Sequence, residues 1–246
     1  MKKLIFITIV CAFVAVPAMA DPYVRINYGN TNYQLNPGGE FTALLKDSGS
    51  GWTFDPTQYY ADSTKNEITQ SGYSKSFQTF CVETDEYVNN NNDYHVELSS
   101  SAWQGGVAGP EPDPISVGTA YLYNEFAKGT LTGYTYTPGS GRQTSAGQLQ
   151  QMIWKLEQET GGVVNFAGLL DAEFGTFYVG GDTVQKNDAL AVWMANNNGL
   201  YPVQVMRLDQ SGVLKQDMLV RVPVPAAVLL GMLGFGVAGL KLRKLA

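Results

Sequence analysis

The sequence predicts a β-rich α+β domain, built mostly of antiparallel sheet or a sandwich with about three short helices, held between two apolar end segments. Three observations predict it. Short alternating or β-branched runs recur between clusters of Gly, Pro, Asn and Asp. Fewer stretches return apolar residues at helical spacing, and each end carries an uncharged run flanked by Lys or Arg.

The elements follow in chain order. Lys2 and Lys3, the apolar run Leu4 to Val16 and Ala18-Met19-Ala20 before Asp21 form the three-part pattern of a cleaved secretory signal, with cleavage between Ala20 and Asp21. Residues 1–20 are therefore set aside, and Cys11 leaves with them. Strands are expected at Tyr23–Tyr28, Phe41–Leu45, Phe77–Val82, Tyr94–Leu98, Tyr134–Thr137, Phe174–Val179 and Val203–Leu208. The first helix spans about Val117 to Ala127, with Ser116 as N-cap and Gly129 as stop. In the second, Ser145 caps, Leu149, Met152, Ile153 and Leu156 recur at i, i+3, i+4 and i+7, and Gly161-Gly162 ends the run. A third covers roughly Asp188 to Ala195. From Val222 to Leu240 the chain carries no charge, and Lys241, Arg243 and Lys244 then close it, which suits a membrane-spanning helix with its basic end in the cytoplasm. The three parts are thus a signal peptide (1–20), one exported domain (21–221) and a transmembrane tail (222–246).

Composition excludes several functions. Without the basic residues of the two ends the chain has 11 basic against 22 acidic side chains, a net charge of −11, which argues against a nucleic-acid partner. One His and one mature Cys are too few for a structural zinc site or for Ser–His–Asp or Cys–His hydrolysis. His95 follows an Asn/Asp run, Asn89 to Asp93, that reads as a turn entering a half-buried strand. That run with Glu83, Asp85 and Glu86 offers calcium ligands, but its spacing fits no known calcium loop and reads as a solvated turn. Glu83 with Asp85 or Glu86 lies on one short segment and cannot flank a sugar as a glycosidase pair does. No cofactor or metal is expected, and no turnover enzyme.

The tail, with Pro223 and Pro225, a Gly-rich apolar run and the basic end Arg243-Lys244, resembles the PEP-CTERM sorting signal of Gram-negative bacteria. Here Val224 stands between the prolines where that family usually has Glu. The resemblance implies handling by signal peptidase and an exosortase-type enzyme, tethering in the inner membrane, and delivery to the cell surface or an extracellular matrix.

The second resemblance lies in "FCVET" (Phe80 to Thr84) and "LQQMIW" (Leu149 to Trp154). Phe80-Cys81-Val82, and Leu149-Gln150 with Ile153-Trp154, resemble the two signatures of the bacterial thioester domain, an adhesin module. The helix "AYLYNEFAKG" between them is also similar, so the likeness covers about Phe77 to Glu159. It implies a Cys81–Gln150 thioester shielded by Phe80 and Trp154, opened by an amine on an unidentified surface or matrix target. Three readings of Cys81 stay open from the residues alone: a thioester nucleophile, a buried thiol behaving as a small hydrophobe, and an intermolecular disulfide. The resulting expectation is an adhesion or matrix protein that captures amines covalently. The alternative is a non-reactive structural or glycan-associated matrix protein with the same tail.

Overall fold

The computed structural model describes residues 22–28, 33–35, 38–103, 112–159 and 192–223. Among them the chain forms β1 (Tyr23–Asn27), β2 (Gln34–Leu35), β3 (Gly38–Gly39), β4 (Phe41–Leu45), β5 (Lys75–Thr79), β6 (Asn92–Ser99), β7 (Ser101–Ala102), β8 (Asp113–Pro114), α1 (Val117–Ala127), α2 (Ser140–Leu156), β9 (Val203–Gln210), β10 (Val213–Leu214) and β11 (Met218–Arg221). It is β-rich and antiparallel, as the sequence predicts. The signal segment, the strand at Phe174–Val179, most of the third helix and the tail beyond Pro223 lie outside the described residues. No helix of the described residues is long and apolar enough to cross a membrane.

One sheet dominates, in the order β10-β9-β6-β1-β4-β5, with β11 also on β9. Alternation decides which face is buried: Val24 and Ile26 of β1 and Tyr94 and Val96 of β6 point into the core, while Arg25, Asp93 and His95 take the other side. β4 is buried along its whole length. Beyond Thr79 the chain runs on past β5 and meets β11. The Val82 N–H donates to the Asp217 carbonyl at 2.9 Å and the Leu219 N–H to the Phe80 carbonyl at 3.2 Å, which sets Cys81 opposite Met218. Because β11 pairs with β9 as well, this bridge closes the sheet into a ring of strands.

α1 has the predicted bounds because Ser116 behaves as a Ser N-cap should, its Oγ accepting the Thr119 N–H at 3.1 Å. Its Tyr123 and Phe126 pack against the sheet, with Phe80 edge-on to Phe126 at 5.0 Å. α2 starts at Ser140, five residues before the Ser145 cap read from the sequence, and stops at Leu156 ahead of Gly161. Ser145 instead accepts the Thr135 N–H through its Oγ.

The early start is held by a buried ion pair. Arg142 is 0% exposed, and its Nε and Nη2 each donate at 2.7 Å to one oxygen of Glu40, which is also 0% exposed. Nη1 adds Glu67 at 2.6 Å, and the guanidinium lies 4.1 Å from the centre of the Tyr33 ring. Burial raises the Glu40 carboxyl pKa even against this pull. The expected strand Tyr134–Thr137 is a correction: these residues join no ladder. Their aromatic side chains are used instead, Tyr134 donating to Glu40 at 2.5 Å and Tyr136 to the Phe126 carbonyl at 3.2 Å.

Candidate functional site

The extension of β5 presents Cys81 in a particular way. In an antiparallel pair, a residue in a non-hydrogen-bonded position turns its own N–H and C=O away from the partner strand. Cys81 holds that position opposite Met218, so its two backbone polar groups face away from β11 and need other partners. Gln150 of α2 supplies both. The Cys81 N–H donates to Gln150 Oε1 at 3.0 Å, and Gln150 Nε2 donates to the Cys81 carbonyl at 2.8 Å. The carboxamide thus takes the place of a neighbouring peptide group, with its carbon held against the residue that carries the thiol.

Helical spacing extends the grip. Trp154, one turn after Gln150, donates its indole N–H to the Glu83 carbonyl at 3.1 Å, and Gln216 Nε2 donates to the same oxygen at 2.8 Å. Leu149 and Ile153, both fully buried, fix the rotation of the helix. On the far side, the β2–β3 hairpin lies directly on these side chains. A Cβ built on Gly38 would stand 2.7 Å from Gln150 Cγ and 2.9 Å from Trp154 Cη2, so only glycine allows this approach.

Water has little access. Cys81 is 5% exposed and Gln150 0%. Burial is the main cause that pushes the Cys81 thiol far above its ordinary pKa, and the charge of Glu86 adds to it, so unreacted Cys81 is a neutral thiol. Glu83 is buried too and does not belong to a solvated turn. It lies with Glu86 and Asp217, one carboxylate oxygen from each of the three within 4.8 Å of the others. Burial and the neighbouring carboxylates raise the pKa of Glu83, and burial raises that of Asp217 to about 7. Glu159, beyond the end of α2, accepts the N–H and hydroxyl of Thr84 at 3.1 Å.

Of the residues singled out in the sequence, Cys81, Gln150 and Trp154 come together at one place. Phe80, the next residue of the strand, faces the opposite side and packs on α1 against Phe126 and Tyr123. His95 sits on β6 against the Tyr23 hydroxyl, on a different strand pair from Cys81. Pro223 is the last described residue, and Ala20, Asp21, Pro225, Arg243 and Lys244 lie outside the described residues. Asp217 was not read from the sequence. The one available signal was its place just before the apolar stretch that became β11.

The arrangement can carry acyl transfer. An amide carbonyl that accepts a backbone N–H is polarised in the direction needed for attack on its carbon, and enclosure removes competing water. The chain matches no family model, no curated protein and no solved structure.

Proposed function

We propose that the protein is an exported surface or matrix protein whose domain forms a Cys81–Gln150 thioester and uses it once to capture an amine-bearing target. The observation that carries this reading is the reciprocal pair of hydrogen bonds that sets the Gln150 carboxamide on Cys81 inside a dry site. The chemistry balances without a cofactor. The Cys81 sulfur attacks the Gln150 side-chain carbonyl carbon, the C–N bond breaks, and the thiol proton leaves with the amide nitrogen as ammonia. A target amine then attacks the thioester, forming an isopeptide to Gln150 and returning the thiol to Cys81. Burial, with the charge of Glu86 added, keeps the thiol protonated, which leaves positioning and carbonyl polarisation as the driving features. Phe80 contributes by packing the strand from behind, and Trp154 by covering the carboxamide.

The export and sorting elements of this proposal rest on the two end segments, which direct the domain through signal peptidase and an exosortase-type enzyme to the surface. An amine probe tests the reaction. Incubation of residues 21–221 with biotin-cadaverine labels Gln150, located by peptide mapping, and fails in Cys81→Ala. Equal labelling of the two proteins would refute it.

A second reading has its own observation. A cleft of about 430 Å³ is lined by Trp52, Phe54, Asp55 and Lys75 among others, far along the sheet from Cys81. Aromatic rings beside polar groups suit a sugar face. A glycan-associated matrix protein would bind polysaccharide through this cleft with no dependence on Cys81. Loss of polysaccharide binding in Trp52→Ala, with Cys81→Ala unchanged, would mark that role.

A further inference from the structure

We infer that Glu83, Glu86 and Asp217 form a calcium site that ties the Cys81 segment to the segment entering β11. The proposal is independent of the thioester and extends to a protein that forms none.

Three carboxylates come from two stretches distant in the chain: Asp217 and Glu86 are 131 residues apart. One carboxylate oxygen from each of the three lies within 4.8 Å of the other two. Oxygens around a calcium ion sit about 2.3–2.6 Å from it, so two ligands on opposite sides are separated by roughly 5 Å and adjacent ones by less. The trio falls within that span. Magnesium needs oxygens about 2.0–2.1 Å from the ion in near-ideal octahedral geometry, a tighter cage.

Glu83 supplies the second, independent observation. It is 2% exposed, and among the described residues no donor outside the trio reaches either of its carboxylate oxygens, against which the Glu86 carboxyl lies. Buried carboxylates are normally paired, hydrogen-bonded or bound to a metal. Among the described residues none of the three carboxylates is in an ion pair, although Arg207 acts on Asp217 at longer range. Among the described residues, backbone donors orient the other two ligands. The Trp103 N–H holds Asp217 Oδ2 at 2.5 Å, and the Asp217 N–H reaches Glu86 Oε2 at 3.3 Å. All-oxygen, anionic ligands suit a hard cation, and the net charge of −11 outside the two ends favours its approach.

The consequence is mechanical. Glu83 and Glu86 follow Cys81 closely in the chain, and Asp217 precedes Met218, which sits opposite Cys81. An ion shared among them clamps the bridge that closes the sheet ring.

The test uses calcium chloride alone on residues 21–221 carrying Cys81→Ala, so that no thioester contributes. Thermal unfolding is compared in chelator, in about 10 mM magnesium and in about 10 mM calcium, with calorimetric titration for affinity. For a site in the extracellular affinity range, about 10⁻⁴–10⁻³ M, calcium raises Tm by roughly 3–10 °C and magnesium by much less. Glu83→Gln and Asp217→Asn keep shape, remove charge and stay folded in chelator, where they are at least as stable as the parent. Each loses the calcium shift. A parent with no calcium-dependent shift and no binding heat overturns the proposal, as does a full shift retained by both variants.

Discussion

Replacing Gly38 by Ala perturbs the site through one methyl group. The new Cβ would stand 2.7 Å from Gln150 Cγ and 2.9 Å from Trp154 Cη2, closer than carbon atoms pack. Neither neighbour can swing aside easily. Gln150 is fully buried with its carboxamide held at both ends, and Trp154 is 6% exposed with its N–H committed to Glu83. The strain is relieved by moving the β2–β3 hairpin off α2 or by stretching the Gln150 bonds to Cys81. Overpacking of a filled site costs about 1–3 kcal/mol, which for a domain of this size lowers Tm by roughly 2–10 °C. The assay is urea unfolding of residues 21–221 in the Cys81→Ala background, parent against Gly38→Ala, with the midpoint falling and the slope against denaturant unchanged. In the protein with Cys81 intact, the same change speeds reaction of Gln150 with methylamine, because the cover over the carboxamide is displaced. A stability change within about 0.5 kcal/mol would refute the packing argument, since that is the range of a surface substitution.

Gln150→Glu in the Cys81→Ala background keeps the acceptor for the Cys81 N–H but, when ionised, sets an oxygen against the Cys81 carbonyl. The loss of stability, on the order of 2–4 kcal/mol at pH 7.5, shrinks at pH 4, where the protonated acid donates as the amide does, and paired urea titrations measure it. Arg142→Ala strands Glu40 in the core and costs about 3–5 kcal/mol, whereas Arg142→Met with Glu40→Met recovers most of the loss in the same assay. Glu157, buried beside the α1 N-cap where it accepts the Ser116 N–H and hydroxyl, has its pKa pushed up to about 7 by burial from an ordinary 4.5. The folded state therefore holds a proton that the unfolded chain has released. The resulting stability is complete below about pH 4.5 and is lost as pH rises to about 7, a difference on the order of 3 kcal/mol. Glu157→Gln removes this part of the slope, seen as the difference between two stability–pH curves; identical curves would refute the assignment.

The parts of the fold that were legible in the sequence are those whose local signals act alone. β1, β4, β6 and β9 alternate or run β-branched between turn residues, and α1 carries its own cap and stop. α2 was read too short because its first turns, Ser140 to Thr144, have no apolar stripe; a buried charge, Arg142 on Glu40, holds them instead. Tyr134–Thr137 has the composition of a strand, but its tyrosines take hydrogen-bond and ring partners on α1 and Glu40 in place of a ladder. At the site, Cys81, Gln150 and Trp154 could be named because short motifs carry them. Asp217 could not, since only closure of the sheet ring brings it to Glu83 and Glu86. The same closure buries Glu83, which local polarity had placed in water.

The proposed function turns on the bond between Cys81 and Gln150. Its most direct test is the intact mass of residues 21–221, produced by export, beside Cys81→Ala, before and after methylamine. The account predicts a mass lower than calculated by one ammonia in the protein with Cys81 only, regained as one added methylamine on Gln150 with release of an alkylatable thiol. The full calculated mass, with Cys81 alkylated once the protein is unfolded and Gln150 unmodified by methylamine, would contradict it and leave the carboxamide as a cap on the strand edge.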